Sequence, residues 1–157
     1  MSTKAMVRKG TAADVPAALE LVKELAHFEK APNEVEVSIE EMTEWGFGKD
    51  KVFEFFILEH QQKTIGLALY YYKYSTWKGK CLFLEDIIVT ATERRKGYGK
   101  LLFDAVIQVA KKEKVRRMEW QVLHWNTSAI DFYRKDKALL DDEWINCKFT
   151  FEQLQSM

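Results

Sequence analysis

The sequence predicts an α/β protein with a mixed central sheet flanked by helices, and three observations carry that prediction. Runs rich in β-branched and aromatic residues alternate with runs whose apolar residues recur every three to four positions, the two periods of strands and helices. Read in order they give two helices and then β-β-β-α-β-α-β, which combines hairpin neighbours with a strand–helix–strand crossover. The chain has 157 residues, 47% apolar and 31% charged, with two prolines and seven glycines. That suits one domain with a real core, here 1–157, and neither a disordered nor a fibrous chain.

Thr11 and Asp14 offer a cap for the first helix, Pro16 sits where a first turn tolerates it, and Val15, Ala18, Leu19, Val22, Leu25 and Ala26 form one stripe ending near Ala31-Pro32. "SIEEMTEWGF" reads as a shorter helix stopped at Gly46. "VFEFFILEH" and "TIGLALYYYKY" are strand-like runs joined by His60-Gln61-Gln62-Lys63, a hairpin signal of no specific turn type. "CLFLEDIIV" is a third, with Glu85 and Asp86 side by side. In a regular strand these two face opposite sides, so at least one is awkward if both faces are covered. Leu101, Leu102, Ala105, Val106, Val109 and Ala110 describe an amphipathic helix, "MEWQVL" a strand, "NTSAIDFYRK" a short helix capped by Asn126 or Thr127, and "WINCKFTF" a final strand. No repeat, linker or low-complexity segment interrupts the series.

Lys plus Arg and Asp plus Glu both number 24, so the formal charge is zero and gives no general attraction to nucleic acid or an anionic membrane. Any anion site must be local. "MSTKAMVRKG" lacks the apolar core of a signal peptide, and no apolar run approaches the roughly 20 residues of a membrane span. A cytoplasmic location without a membrane partner is expected. Cys81 and Cys147 lie far apart in strand-like runs with no CxxC or Cys/His cluster, and read as two buried thiols with no metal.

"TERRKGYGK", residues 92–100, places Gly97 and Gly99 among Arg94, Arg95, Lys96 and Lys100 at the mouth of a helix. A first helical turn leaves N–H groups unpaired and carries partial positive charge, and glycines let an anion approach the backbone. A solvated basic connector explains the same residues equally well. A P-loop would need Gly-Lys-Ser/Thr where Gly99-Lys100-Leu101 stands, and a dinucleotide fingerprint a third glycine or alanine where Leu102 stands.

Arg-x-x-Gly-x-Gly between a strand and a helix resembles the acyl-CoA pyrophosphate loop of the GNAT acetyltransferase superfamily. "TAADVPAALELVKELAHFEK", "EWGFGKD", "YYYKYSTWKGKCLFLEDIIV" and "WNTSAIDFYRK" resemble, in order and spacing, its diamine (spermidine/spermine) acetyltransferase branch and the thialysine acetyltransferase relatives. The resemblance implies the GNAT fold with a splayed sheet, a homodimer, and acetyl transfer from acetyl-CoA to the primary amine of a small substrate. It implies that acetyl-CoA is held by Ile87, Val89, the loop Arg94, Arg95, Lys96, Gly97, Tyr98, Gly99 and Lys100, then Asn126 and Tyr133. The backbone of the loop matters more than the side chains of Arg95, Lys96 and Tyr98.

It also implies that Tyr133 protonates the departing CoA thiolate. A phenol near pKa 10 suits a thiol near 8.5. Glu85 becomes the water-mediated base, since an alkyl amine of pKa near 10.4 is neutral in only about one molecule per thousand at pH 7. Asp86 would hold the acceptor's cationic end, and Glu29, Trp77 and Trp144 would wall or pair with it. On residue chemistry alone, Asn126 is a helix N-cap, the Glu85-Asp86 pair an ion pair or wet edge, and Trp77 and Trp144 equally core residues. Glu29 closes a helix where the dipole does not favour a carboxylate. Ser75 in "YSTWKG" stands where the polyamine enzymes carry an acid, as in the thialysine-type relatives, which favours a short lysine-like or diamine acceptor. Asp136 stands where family members often have glycine. The competing readings are a non-catalytic acyl-CoA-binding regulatory module, or transfer to a protein lysine or an aminoglycoside.

Overall fold

A computed structural model describes residues 4–157, and the chain forms two compact units, Met1–Gln121 and Val122–Met157. The first holds a five-stranded sheet in the order β1 (Met6–Lys9), β2 (Glu54–His60), β3 (Lys63–Ser75), β4 (Gly79–Val89) and β5 (Arg117–Trp120). All neighbours are antiparallel except β4 and β5, which are parallel and joined through α3 (Tyr98–Lys112). The predicted mixed α/β class is the observed one.

Leu67, Leu69 and Ile88 lie in one core with Val15, Ala18, Leu19 and Leu21 of α1 (Val15–Phe28) and Met42 of α2 (Ile39–Phe47). Gly66 leaves room for α3 on the other side, since a Cβ there would stand 3.0 Å from Leu102. Side chains alternate along a strand, so α1 and α3 cover opposite faces. Residues 65–70 are accordingly all buried. That is why this run reads as continuously apolar rather than alternating.

Glu29 closes α1, with Lys30 in the left-handed region at φ 63° and Ala31 N–H donating to the Ala26 carbonyl at 2.8 Å. These are the marks of a Schellman stop, which fixes where Glu29 stands. Gly46 does not stop α2. It lies inside the helix, where a Cβ would meet the Phe53 ring at 2.8 Å, and Gly48 is the C-cap. The β2–β3 turn uses Gln61 and Gln62, both at positive φ (49° and 63°), the backbone of a type I′ hairpin without its usual Asn-Gly.

The strand β1 escaped the periodicity because its four residues are too few to show one. It is fastened to the start of α1 by Arg8, which donates to both Asp14 oxygens at 2.7 and 2.8 Å. That bidentate pair holds Asp14 well below the ordinary carboxylate range. The strand read in "MEWQVL" ends at Trp120.

The second unit contains α4 (Thr127–Lys135) and α5 (Phe151–Ser156). The final strand predicted from "WINCKFTF" does not form: residues 144–150 have no regular structure and Phe151 opens α5. Thr150 and Gln153 make a reciprocal capping box, with Gln153 N–H donating to Thr150 Oγ1 at 3.2 Å and Thr150 N–H to Gln153 Oε1 at 2.9 Å. This local satisfaction of helix-end donors overrides β-propensity, which is weak without a pairing partner. Cys81 is buried as expected, but Cys147, without its strand, is exposed.

Candidate active site

Two acids side by side in β4 are accommodated by a β-bulge. Leu84 pairs with Tyr70 and Asp86 with Leu69, so Glu85 is the extra residue. Tyr70 and Leu69 face opposite sides of the sheet, and the register shift therefore turns Asp86 to the α1 side with Leu69. Glu85 points the same way, because the Tyr71 hydroxyl, on the Leu69 side of β3, donates to its Oε2 at 3.0 Å. The expectation of opposite faces is corrected by one inserted residue, and both acids lie on the face that α1 covers.

The electrostatics follow from that crowding. Burial first, then the charges of Glu85 and Glu29, push Asp86 up to about 6. Burial raises Glu29 as well. Tyr71 is pushed up to about 12 by burial and then by Glu85, so it stays a proton donor to that carboxylate. Tyr71 is the residue that sequence reading missed. Its spacing from Glu85 depends on the bulged register, and a tyrosine in "YYYKY" carries no separate signal.

Asp86 therefore has a pH signature. Its folded pKa of about 6 lies above the ordinary aspartate value of 3.8, so between these values the folded protein keeps a proton that the unfolded chain releases, and stability falls as pH rises through that window. Removing the charge at pH 7 should return about 1–3 kcal/mol. Asp86→Asn is expected to raise Tm by roughly 2–8 °C at pH 7 and by much less at pH 4.5, read by differential scanning fluorimetry. An unchanged or lower Tm at pH 7 contradicts this placement of the charge.

The basic loop follows β4. Gly97 has φ 79° and is the N-cap of α3, and a Cβ on Gly97 or Gly99 would meet nothing within 4 Å. The helix mouth is thus open, with no side-chain cap on its first-turn donors. The charges are largely engaged elsewhere. Lys96 pairs with Glu93 at 2.7 Å, Lys100 with Asp104 at 3.0 Å, and Arg94 donates through Nε to the Val89 carbonyl at 2.9 Å. Arg95 is exposed at φ 64°, and Tyr98 is half-buried with its ring 6.0 Å from that of His60. Ile87 and Val89 pair with Ala68 and Gly66, whereas the ladder to β5 stops at Leu84, so β4 runs on five residues past its last β5 pair.

Glu29, Glu85 and Asp86 are brought together, but Ser75 and Trp77 are not brought to them. Ser75 lies six residues along β3 from the partner of Asp86, roughly 20 Å at a strand's rise. Its Oγ accepts from Trp77 and Lys78 N–H, each at 3.2 Å, and shapes the turn. Trp77 is exposed at the hairpin tip rather than in the core. A groove of about 640 Å³ lined by Glu20, Leu21, Glu24, Thr64 and Thr90 shares no residue with the acceptor set.

In the second unit, Asn126 caps α4 by accepting from Ala129 N–H at 3.3 Å. Tyr133 is buried, edge-on to Phe132 at 5.5 Å, and burial pushes its phenol above the ordinary range. Trp144 is exposed, not core. Among the described residues, no three His, Cys, Asp or Glu side chains are grouped to hold a metal ion, and no helix is long and apolar enough to cross a membrane.

Comparison with known proteins places this arrangement. Residues 19–137 match the acetyltransferase (GNAT) family. The thialysine N-epsilon-acetyltransferase of Bos taurus is 33% identical over 94% of this chain and 92% of its own length. The spermidine/spermine N(1)-acetyltransferase-like protein 1 of Homo sapiens is 33% identical over 96% of this chain, which spans only 23% of that longer protein. The solved structure of an aminoglycoside acetyltransferase from an uncultured soil metagenomic sample has the same fold, with a TM-score of 0.77 at 18% identity, covering 94% of this chain and 96% of its own. The chain belongs to the GNAT family and is an N-acetyltransferase.

Proposed function

We propose that the protein transfers the acetyl group of acetyl-CoA to the primary amine of a small cationic substrate, and that a thialysine-like amino acid ranks above spermidine or spermine. The observation that carries this reading is the bulge at Glu85, which sets Glu85 and Asp86 on one face beside Glu29. The charges of Glu85 and Glu29 add to burial in pushing Asp86 up, and an ammonium among the three acids would offset that repulsion. Ser75 lies roughly 20 Å along β3 from the acids, with its hydroxyl accepting turn N–H groups, so the ranking is supported by the likeness to the thialysine N-epsilon-acetyltransferase and not by Ser75.

Acetyl-CoA supplies the activated thioester. The open helix mouth at Gly97 and Gly99 suits its pyrophosphate and the β4 backbone at Ile87 and Val89 suits its arm, while Asn126, which caps its own helix, is the residue that the family resemblance assigns to that arm. Glu85 takes the ammonium proton through water, Asp86 and Glu29 hold the cationic end, and Tyr133 returns a proton to the sulfur as the amide forms. Arg95, Lys96, Tyr98 and Lys100 contribute mainly backbone and local field. The whole chain works as one cytoplasmic GNAT domain in a homodimer.

Thiol release from acetyl-CoA against a panel of lysine analogues, diamines, polyamines and an aminoglycoside tests the reading. Release with thialysine at higher kcat/KM than with spermidine is expected. Binding of CoA without release by any amine would favour the regulatory module, and release with the aminoglycoside alone would transfer the function to that acceptor.

A further inference from the structure

The entry to the basic loop is pinned by α1, through Glu24 and through Phe28 beneath Arg94. Glu24, in the fourth-last position before Phe28 on α1, accepts from Thr90 Oγ1 with both oxygens, at 3.0 and 2.9 Å, and from Ala91 N–H at 2.9 Å. One turn later Phe28 lies under the Arg94 guanidinium, 5.1 Å from ring centroid to carbon. Arg94 in turn holds the Val89 carbonyl, and Thr90 N–H donates to the Ile65 carbonyl at 2.8 Å. Val89, Thr90, Ala91 and Arg94 are thus fastened in series. The positive-φ residues Arg95 and Gly97 follow directly, and they set the direction of the helix mouth.

We propose that Glu24 is a positioning residue for the anion loop: its carboxylate fixes Thr90 and Ala91, so that the first-turn donors of α3 are already aimed when CoA arrives. The loop would otherwise have to be ordered on binding, which lowers affinity without changing the chemical step. This rests on the loop being the CoA site. Phe28 adds a second fastening through Arg94, and both residues stand on the helix that ends at Glu29, so the same rigid element sets the cofactor loop and one acceptor carboxylate.

Direct titration of CoA, together with steady-state kinetics, tests it on the full chain. Glu24→Ala is expected to weaken CoA binding by about five- to fiftyfold and to raise the KM for acetyl-CoA in parallel, with kcat and the amine KM within about twofold. Glu24→Gln, whose amide oxygen still accepts from Ala91 N–H, should recover part of the loss. Thr90→Val should fall between the two, and the double variant Glu24→Ala/Thr90→Val should be no worse than Glu24→Ala, because the Thr90 contact is already lost in Glu24→Ala, which also loses the bond from Ala91 N–H. Gly99→Val serves as the control for the site itself, since a side chain there meets no protein atom within 4 Å and would add bulk where the loop backbone approaches the anion. If Gly99→Val weakens CoA while a folded Glu24→Ala binds it within twofold of wild type, the positioning role is wrong. If neither variant alters CoA binding, the loop is not the CoA site and both inferences fall. A loss in Glu24→Ala that Glu24→Gln does not relieve at all, with kcat reduced equally, would also overturn the role.

Discussion

Tyr133→Phe is expected to lower turnover by roughly ten- to ten-thousandfold, the range of a lost acid–base group, while leaving the fold and acetyl-CoA affinity in place. The substitution keeps the ring that lies against Phe132 and removes only the hydroxyl. Burial raises the phenol's pKa, so the proton to be donated is present throughout the neutral range, and the variant's deficit should persist unchanged from pH 6 to 9. A leaving group that needs no protonation provides the control: with an acyl thioester of an acidic thiol, the variant should recover much of its rate. Near-normal turnover with acetyl-CoA would hand the proton to water or to another residue and reduce Tyr133 to packing.

Glu85→Gln carries the second large effect, about a hundred- to ten-thousandfold loss of kcat/KM at neutral pH. Glutamine keeps the volume, and its carbonyl can still accept from the Tyr71 hydroxyl, so the loss would report the base and not the local structure. Because the amine must lose a proton, the deficit should shrink as pH rises toward the amine's own pKa of about 10. Tyr71→Phe should cost less than tenfold, since it frees the carboxylate without removing it. A Glu85→Gln variant with a pH-independent, less than threefold loss would leave Glu85 as a bystander of the bulge.

The sequence shows the order of elements because the two hydrophobic periods are sustained through α1, β3 and α3, whereas glycines and basic residues at a helix mouth fit a solvated connector as well as an anion loop. What it conceals depends on register and on distant contacts. Adjacent Glu85 and Asp86 are plain to read, but their shared face requires the pairing of β3 with β4 to slip by one residue. Glu24 looks like any polar residue of an amphipathic helix until the chain brings it to Thr90, 66 positions later. Ser75 and Trp77 are close to the acids in sequence, yet an extended strand separates them in space. The lost strand at 144–151 was legible in part: Thr150 and Gln153 have the spacing of a capping box, a helix-start signal that outweighs the β-rich composition around Phe149 and Phe151.

The most direct test of the acceptor site is the dissociation constant of thialysine, measured by calorimetry with CoA present, from pH 5 to 8 in the wild type and in Asp86→Asn. Asp86 ionises near pH 6, so only above that pH does it offer a full charge to the ammonium. Wild-type affinity should rise by about three- to tenfold across this interval, as one partly buried charge pair worth about 1 kcal/mol forms, and Asp86→Asn should bind weakly with a flat profile. A flat wild-type profile, or the same rise in both proteins, would contradict an acceptor site built on the bulged acids of β4.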